Sequence, residues 1–360
     1  MRRLIALLLF LSSVIILCLS SSDLGMRWIT HTRYARNDAW GADKYRYGDL
    51  YGLSYLSDFR ILQDTNKLAL PSQVDTLPKS YDLTILGDSY LYSFFHENPA
   101  YFNRVSSVNL YRWSDTMQHL IRPKSKNKQV LLIECVERNM WARVNLADAR
   151  LRLDVQKSDL PKVGNNSLKD VWLSQLDRFD ASVRKALYHP SLESNLDFVL
   201  FNWGLLGPIK ELKADFIWHV LGRTNPDVQV SQDAQFLYLR ETVDVNSQGS
   251  SFRSLNKEEI DQMVQKLNEI QAYYLRYGFD EVIISLIPNP VSILATENGS
   301  LNRAIPQIKE HPALKVKFLD PTSSLKKGAE LNFSKSDSHW TLRGAQIWLN
   351  DLNQILNQLP

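Results

Sequence analysis

Short apolar runs that favour β structure recur along this chain, at residues 81–86, 105–111, 129–136, 196–202, 281–287 and 315–319. Helix-like stretches separate them, and in residues 257–277 and 342–356 the apolar side chains return at three- and four-residue spacing. Strands and helices that alternate in this way pack as a mostly parallel sheet covered on both faces, because a crossover is needed to bring the chain back to the start of each parallel strand. The chain therefore reads as α/β, and in such folds functional side chains gather beyond the carboxyl ends of the strands. No internal repeat or low-complexity segment competes with this reading.

The first 22 residues follow a different rule. Arg2 and Arg3 precede an uncharged run over residues 4–19, about 24 Å long as a helix against the ~30 Å hydrocarbon core of a bilayer. Residues 1–22 are read as an N-terminal membrane anchor or signal segment, and the positive-inside rule then puts the remainder outside the cytoplasm, in a periplasm or at a cell surface. Residues 23–80, rich in Tyr, Arg and Asp with weak periodicity, read as a stalk and lead-in. The main domain spans 81–360, with a less regular stretch around 144–255 read as an insertion covering the site.

Of the 360 residues, 44% are hydrophobic and 22% charged, which is globular composition. The 42 basic and 39 acidic residues leave a formal charge of +3 without the basic stripe that nucleic-acid binding requires. Cys18 lies in the membrane run and Cys135 in an apolar strand, so the two are not expected to pair. Sequons at Asn165, Asn298 and Asn332 do not decide the source of the chain.

A serine becomes a nucleophile when an imidazole takes its proton and a third group holds that imidazole in the right tautomer. Gly87-Asp88-Ser89-Tyr90, directly after the apolar run 81–86, supplies a serine at a strand end, where the amides opening the next helix face a developing oxyanion. Alone, the same residues read equally well as Asp88 or Ser89 capping that helix. Ser336-Asp337-Ser338-His339-Trp340-Thr341, just before the last amphipathic stretch, supplies the other two members. Two residues apart on an extended loop, Asp337 and His339 can point the same way, leaving the second ring nitrogen for Ser89. The other histidines, His31, His96, His119, His189, His219 and His311, read as surface or satisfied core residues. Thr341 reads as a helix cap and Trp340 as packing. No His/Cys cluster has metal-ligand spacing and no Gly-rich phosphate loop occurs, so neither metal nor nucleotide cofactor is expected.

A strand-terminal Gly-Asp-Ser together with an Asp-x-His before the final helix resembles the SGNH (GDSL-type) hydrolase superfamily. Asp337-Ser338-His339-Trp340-Thr341 with Gly344-Ala345 looks like its alginate O-acetyltransferase-related, DHHW-type branch. The resemblance covers roughly residue 81 to the C-terminus. It implies a three-layer flavodoxin-like fold with Ser89 as nucleophile, His339 as general base and Asp337 as orienting carboxylate. It also implies an acyl donor, a glycan acceptor on a cell-surface or exported polysaccharide, and a multipass membrane acyltransferase as partner. The superfamily's oxyanion hole takes a glycine after the second strand and an asparagine after the third. This chain has Tyr111-Arg112-Trp113-Ser114 and Glu137-Arg138-Asn139 there, which makes Arg138 and Asn139 the candidates. The plainer reading pairs Arg138 with Glu137 or Glu134 on the surface. Pro288-Asn289-Pro290 stands where related O-acetyltransferases carry a Pro-x-Lys-like loop near the acceptor, and the lysine is absent. The expected activity is serine-dependent O-acyl transfer to a glycan. An esterase or deacetylase with the same triad is one rival. The other is a noncatalytic glycan-binding or assembly factor, which a large Ser89–His339 separation would favour.

Overall fold

The computed structural model describes residues 2–22, 25–26, 47–63, 68, 70, 78–92, 95, 97–113, 118–120, 125–153, 192–201, 206–294 and 299–360. Along the chain these form α1 (Arg2–Ser20), α2 (Asp49–Ser54), β1 (Tyr81–Gly87), α3 (Ser89–Tyr92), β2 (Val105–Arg112), β3 (Gln118–Leu120), β4 (Lys128–Val136), α4 (Glu137–Arg150) and β5 (Leu151–Leu153). There follow α5 (Leu192–Phe201), α6 (Gly207–Leu221), β6 (Val228–Val230), β7 (Leu237–Leu239), α7 (Lys257–Arg276), β8 (Glu281–Ile287) and α8 (Pro290–Leu294). The chain ends with α9 (Ala304–Lys309), β9 (Lys317–Leu319), α10 (Thr322–Leu325), α11 (Ala329–Asn332) and α12 (Leu342–Gln358). Two compact units result: Met1–Tyr47, Ser54–Arg60 and Lys157–Arg223 form one, and Gly48–Leu53, Ile61–Gln156 and Thr224–Pro360 the other.

The second unit is built on a five-stranded sheet in the order β2-β1-β4-β8-β9, parallel throughout. Counted within the sheet this is 2-1-3-4-5, the doubly wound order of flavodoxin-like folds, whose strand direction of travel reverses between β1 and β4. The inner strands are apolar on both faces, as a sheet covered twice requires. Leu83, Ile85, Val130, Leu132, Ile283 and Ile287 pack with Trp340, Trp348, Leu349, Leu352 and Leu356 on one face. Leu131, Ile133, Cys135, Val282, Ile284 and Leu286 pack with Met140, Trp141, Met263, Val264 and Leu267 on the other. Burial of Leu349, Leu352 and Leu356 stabilises α12 against the sheet by about 1.5–3 kcal/mol each. The helix starts where Thr341 accepts from the Gly344 amide, so the capping role expected of Thr341 holds. Asn256 and Glu259 form a reciprocal capping box at the start of α7.

The first unit carries α1, α5 and α6. α1 runs for 19 residues with its apolar side chains exposed, long and apolar enough for a membrane anchor or a signal sequence. Of the strand expected at residues 196–202, residues 196–201 are instead the end of helix α5, and Asn202 lies outside the described residues. The run Asn195-Leu196-Asp197-Phe198-Val199-Leu200-Phe201 is short and apolar, and such runs do not separate strand from helix by periodicity alone. Cys135 and Cys18 are both free thiols, as expected. The sequon residue Asn332 is fully buried and donates to the Leu325 and Lys327 carbonyls, so the folded chain presents no acceptor there; Asn165 and Asn298 lie outside the described residues.

Candidate active site

β1 ends at Gly87, and the chain turns at once into α3, whose first residue is Ser89. Gly87 is required for close approach: a Cβ there would stand 2.8 Å from Leu91 Cδ1 and 3.1 Å from Glu134 Oε2. Asp88 then organises the turn. Its Oδ1 accepts from the Tyr90 amide at 2.9 Å, its Oδ2 accepts from the Val136 amide at 3.0 Å, and Arg143 Nη1 lies 3.3 Å away. The capping reading of this motif is thus correct for Asp88, while Ser89 is left for another task.

That task is set by the loop before α12. An isolated bridge between Phe333 and Trp340 closes it, the Ser334 amide donates to the His339 carbonyl, and the Tyr90 hydroxyl donates to the Ser338 carbonyl at 2.5 Å. The half-buried His339 places Nε2 2.8 Å from Ser89 Oγ and Nδ1 2.6 Å from Asp337 Oδ1. A carboxylate facing Nδ1 holds the proton there, so the Nε2 lone pair faces the serine hydroxyl. Ser89, His339 and Asp337 are brought together as expected, beyond the carboxyl end of β1, beside the crevice where the strand order reverses.

Two further side chains complete the arrangement. Asp49, in the segment read from sequence as stalk, accepts from Ser338 N at 2.7 Å and Ser338 Oγ at 2.6 Å, and its Oδ2 stands 3.8 Å from His339 Nδ1. Its own amide donates to Asp337 Oδ2 at 2.9 Å. Gly48, at φ +104°, lets this segment lie against the Ser336 backbone, where a Cβ would collide with the Ser336 carbonyl. Tyr90 is fully buried, with its ring 4.8 Å from the His339 ring and 5.1 Å from that of Trp340. Tyr90 belongs to the Gly87-Asp88-Ser89-Tyr90 motif, whose sequence gives the tyrosine no role of its own. Asp49 had no sequence signal, since the contact joins residues 288 positions apart.

Arg138 does not pair with Glu137 or Glu134. Its Cζ sits 5.5 Å above the Tyr90 ring, Nη1 is 3.5 Å from the Tyr90 hydroxyl, and Nε is 3.6 Å from Glu241. The guanidinium is therefore held one aromatic ring away from His339. Asn139 lies half-buried on the first turn of α4, and no described hydrogen bond joins it to the triad. Glu137 and the Pro288-Asn289-Pro290 turn form an internal strut. The Asn289 amide donates to Glu137 Oε2 at 2.8 Å, and the buried Asn289 side chain bonds Gly249 O, Ser251 Oγ and the Arg138 amide. That turn fixes the start of α4. Of the other histidines, His219 is exposed and His311 bonds Asp261 at 2.8 Å; His31, His96, His189 and the His119 side chain lie outside the described residues.

Burial alone would lower the His339 pKa, but the hydrogen bond and charge of Asp337, with the charge of Asp49, outweigh it and hold the imidazole above its ordinary value. Burial likewise pushes Asp337 up, and the His339 hydrogen bond and charge overcome that and hold it below the usual range. Asp49 is raised, by burial and then by the neighbouring Asp337. The His339 contribution to stability is fully present below the ordinary ~6.5 and is lost as pH rises through the elevated folded value. An NMR titration is expected to place the His339 midpoint above ~6.5, and Asp49→Asn is expected to move it down while keeping the Ser338 contacts. An unmoved midpoint would show that Asp49 exerts no electrostatic hold on the ring.

Ligand atoms of Asp49, Asp337 and His339 all lie within 4.8 Å of one another, a distance at which a cation would fit. The carboxylate oxygens, however, already accept from Ser338 N, Ser338 Oγ, His339 N, His339 Nδ1 and Asp49 N. That donor set suits a proton relay. Comparison with protein-family models, with curated proteins and with solved structures finds no match to this chain. What the fold and site define is an α/β domain with a hydrogen-bonded Ser-His-Asp relay at the strand-order reversal of its sheet.

Proposed function

We propose that this chain is an extracytoplasmic, serine-dependent O-acyltransferase of SGNH type that passes an acyl group, acetyl in the simplest case, to a hydroxyl of a cell-surface or exported glycan. The observation that carries the reading is the continuous relay from Asp337 through His339 to Ser89, with contacts of 2.6 and 2.8 Å. The 2-1-3-4-5 parallel sheet and the apolar α1 are consistent with it.

In this mechanism His339 Nε2 takes the Ser89 hydroxyl proton as Oγ adds to the acyl carbonyl of the donor. Collapse of the tetrahedral intermediate breaks the donor's acyl bond, and the imidazolium returns the proton to the leaving group. A glycan hydroxyl then gives its proton to His339 as its oxygen attacks acyl-Ser89, and the proton returns to Ser89 Oγ as the acylated sugar leaves. Asp337 keeps Nδ1 protonated and stabilises the imidazolium in both halves. Arg138 supplies positive potential beside Tyr90 for the oxyanion. A large Ser89–His339 separation would have favoured the noncatalytic reading, and the contact is 2.8 Å.

The test follows release from an activated acetyl ester by the full chain in detergent, with and without oligosaccharide. A Ser89-dependent burst, slow turnover, and acceleration by sugar with formation of acetylated sugar are expected. Fast turnover that ignores sugar would replace the transferase with an esterase, and absence of any Ser89-dependent release or labelling by a covalent serine probe would remove catalysis altogether.

A further inference from the structure

Helix α6 leaves an apolar stripe uncovered. None of its residues is buried, while Ile209, Leu212, Phe216 and Val220, at three- and four-residue spacing, are each more than half exposed. Most amphipathic helices in a globular unit gain their stability by packing that stripe inward. α6 is tied to residues 55–60 by polar contacts. Lys210 Nζ donates to the Tyr55 hydroxyl at 3.1 Å, Glu211 lies 3.4 Å from Arg60, and Asp215 accepts from the Ser57 amide at 3.3 Å. The helix carboxylates are thereby turned toward the unit. The exposed Lys213, His219 and Arg223 flank the apolar stripe, with Asp58 at the edge, 4.0 Å from His219.

The same unit fixes where this face stands along the chain. Asn195, on α5, donates to the Ser20 carbonyl that ends α1, at 2.8 Å. The chain from Phe201 to Gly207 spans at most about 20 Å, so α6 begins within a short reach of the end of the apolar helix. An apolar stripe flanked by cations and kept close to a bilayer exit matches a helix lying in the headgroup and acyl boundary.

We infer that α6 is an interfacial helix seated on the anionic lipid surface of the extracytoplasmic leaflet, with Ile209, Leu212, Phe216 and Val220 in the acyl boundary and Lys213 and Arg223 at the phosphates. The inference rests on α1 serving as a bilayer anchor, and it gives the chain a second membrane attachment.

The experiment uses the full chain with Cys18→Ala, reconstituted in phosphatidylcholine vesicles with and without phosphatidylglycerol. Single cysteines replacing Leu212, Phe216 or, as control, Lys257 carry an environment-sensitive fluorophore, and doxyl lipids act as quenchers; the native Cys135 is buried. Blue-shifted emission and shallow-doxyl quenching are expected at 212 and 216 and not at 257, and more strongly with phosphatidylglycerol. Ile209→Ser/Val220→Ser in the labelled Phe216→Cys chain is expected to abolish the quenching while the protein still floats with the vesicles through α1. Water-like emission at 212 and 216 in floating protein would overturn the inference and leave the anchor standing. Loss of flotation would overturn both. Burial seen only in native membranes would assign the face to a protein, and quenching indifferent to phosphatidylglycerol would remove the anionic surface.

Discussion

Ser89→Ala and His339→Ala are each expected to lower kcat/KM for an activated acetyl ester by about 10⁴- to 10⁶-fold, and the double variant to be no worse than the poorer single. The non-additivity follows from the geometry. Ser89 Oγ and His339 Nε2 share one hydrogen at 2.8 Å, so removal of either leaves the other without a partner in the proton transfer. Asp337→Asn is expected to cost about 10⁴-fold, because an amide facing Nδ1 favours the tautomer whose Nε2 already carries a proton. Asp49→Asn is expected to cost less, since its oxygen stands 3.8 Å from the ring and bonds chiefly to Ser338. Folding should be little changed by Ser89→Ala, whose lost hydrogen bond to His339 is worth about 0.5–1.5 kcal/mol. A Ser89→Ala protein that keeps its rate would place the chemistry elsewhere, and multiplicative losses in the double variant would show that the two residues act separately.

What could be read from the sequence was what lies close together along the chain. β1 is a continuous apolar run followed at once by Gly87-Asp88-Ser89, and β8 spans the same residues as the apolar run from which it was expected. Asp337 and His339 were paired on two-residue spacing alone, and the 2.6 Å contact follows from that spacing. Asp49 could not be read in this way. α2 has six residues, too few for a periodic signal, and Asp49 acquires its role only when Gly48 lies against Ser336. Arg138 and Asn139, the two oxyanion candidates, face different ways for a helical reason. Consecutive residues on α4 are turned about 100° apart, so with Arg138 set over Tyr90, Asn139 points elsewhere. α5 was misassigned because its apolar run is as long as a strand, and the bond from Asn195 to the end of α1, which anchors it as a helix, is a long-range contact.

Beneath the nucleophile, Asp88→Ala is expected to destabilise the fold by about 3–5 kcal/mol, whereas Glu134→Gln is expected to stabilise it at neutral pH. Both side chains are buried at the carboxyl ends of β1 and β4, and the Asp88 amide donates to Glu134 Oε2 at 2.8 Å. Asp88 accepts from the Tyr90 and Val136 amides and balances Arg143, so its loss strands two amides and a cation. Glu134 is in a different position. Burial first, and then the negative charge of Asp88, hold its carboxyl well above the usual range. The unfolded chain ionises Glu134 above the ordinary ~4.3, and the folded chain does so only at higher pH. Stability is therefore drawn down as pH rises from that value toward the folded pKa, by the linkage that makes the unfolded state bind fewer protons. Gln keeps a neutral acceptor for the Asp88 amide and offers a donor to the Asp88 carboxylate without that cost. Urea unfolding at about pH 4 and about pH 8 should give equal stabilities for wild type and Glu134→Gln at the lower pH and a more stable variant at the higher. A Glu134→Gln protein less stable than wild type at the higher pH would mean that Glu134 is ionised in the folded chain and that it, rather than Asp88, is the counter-charge Arg143 needs.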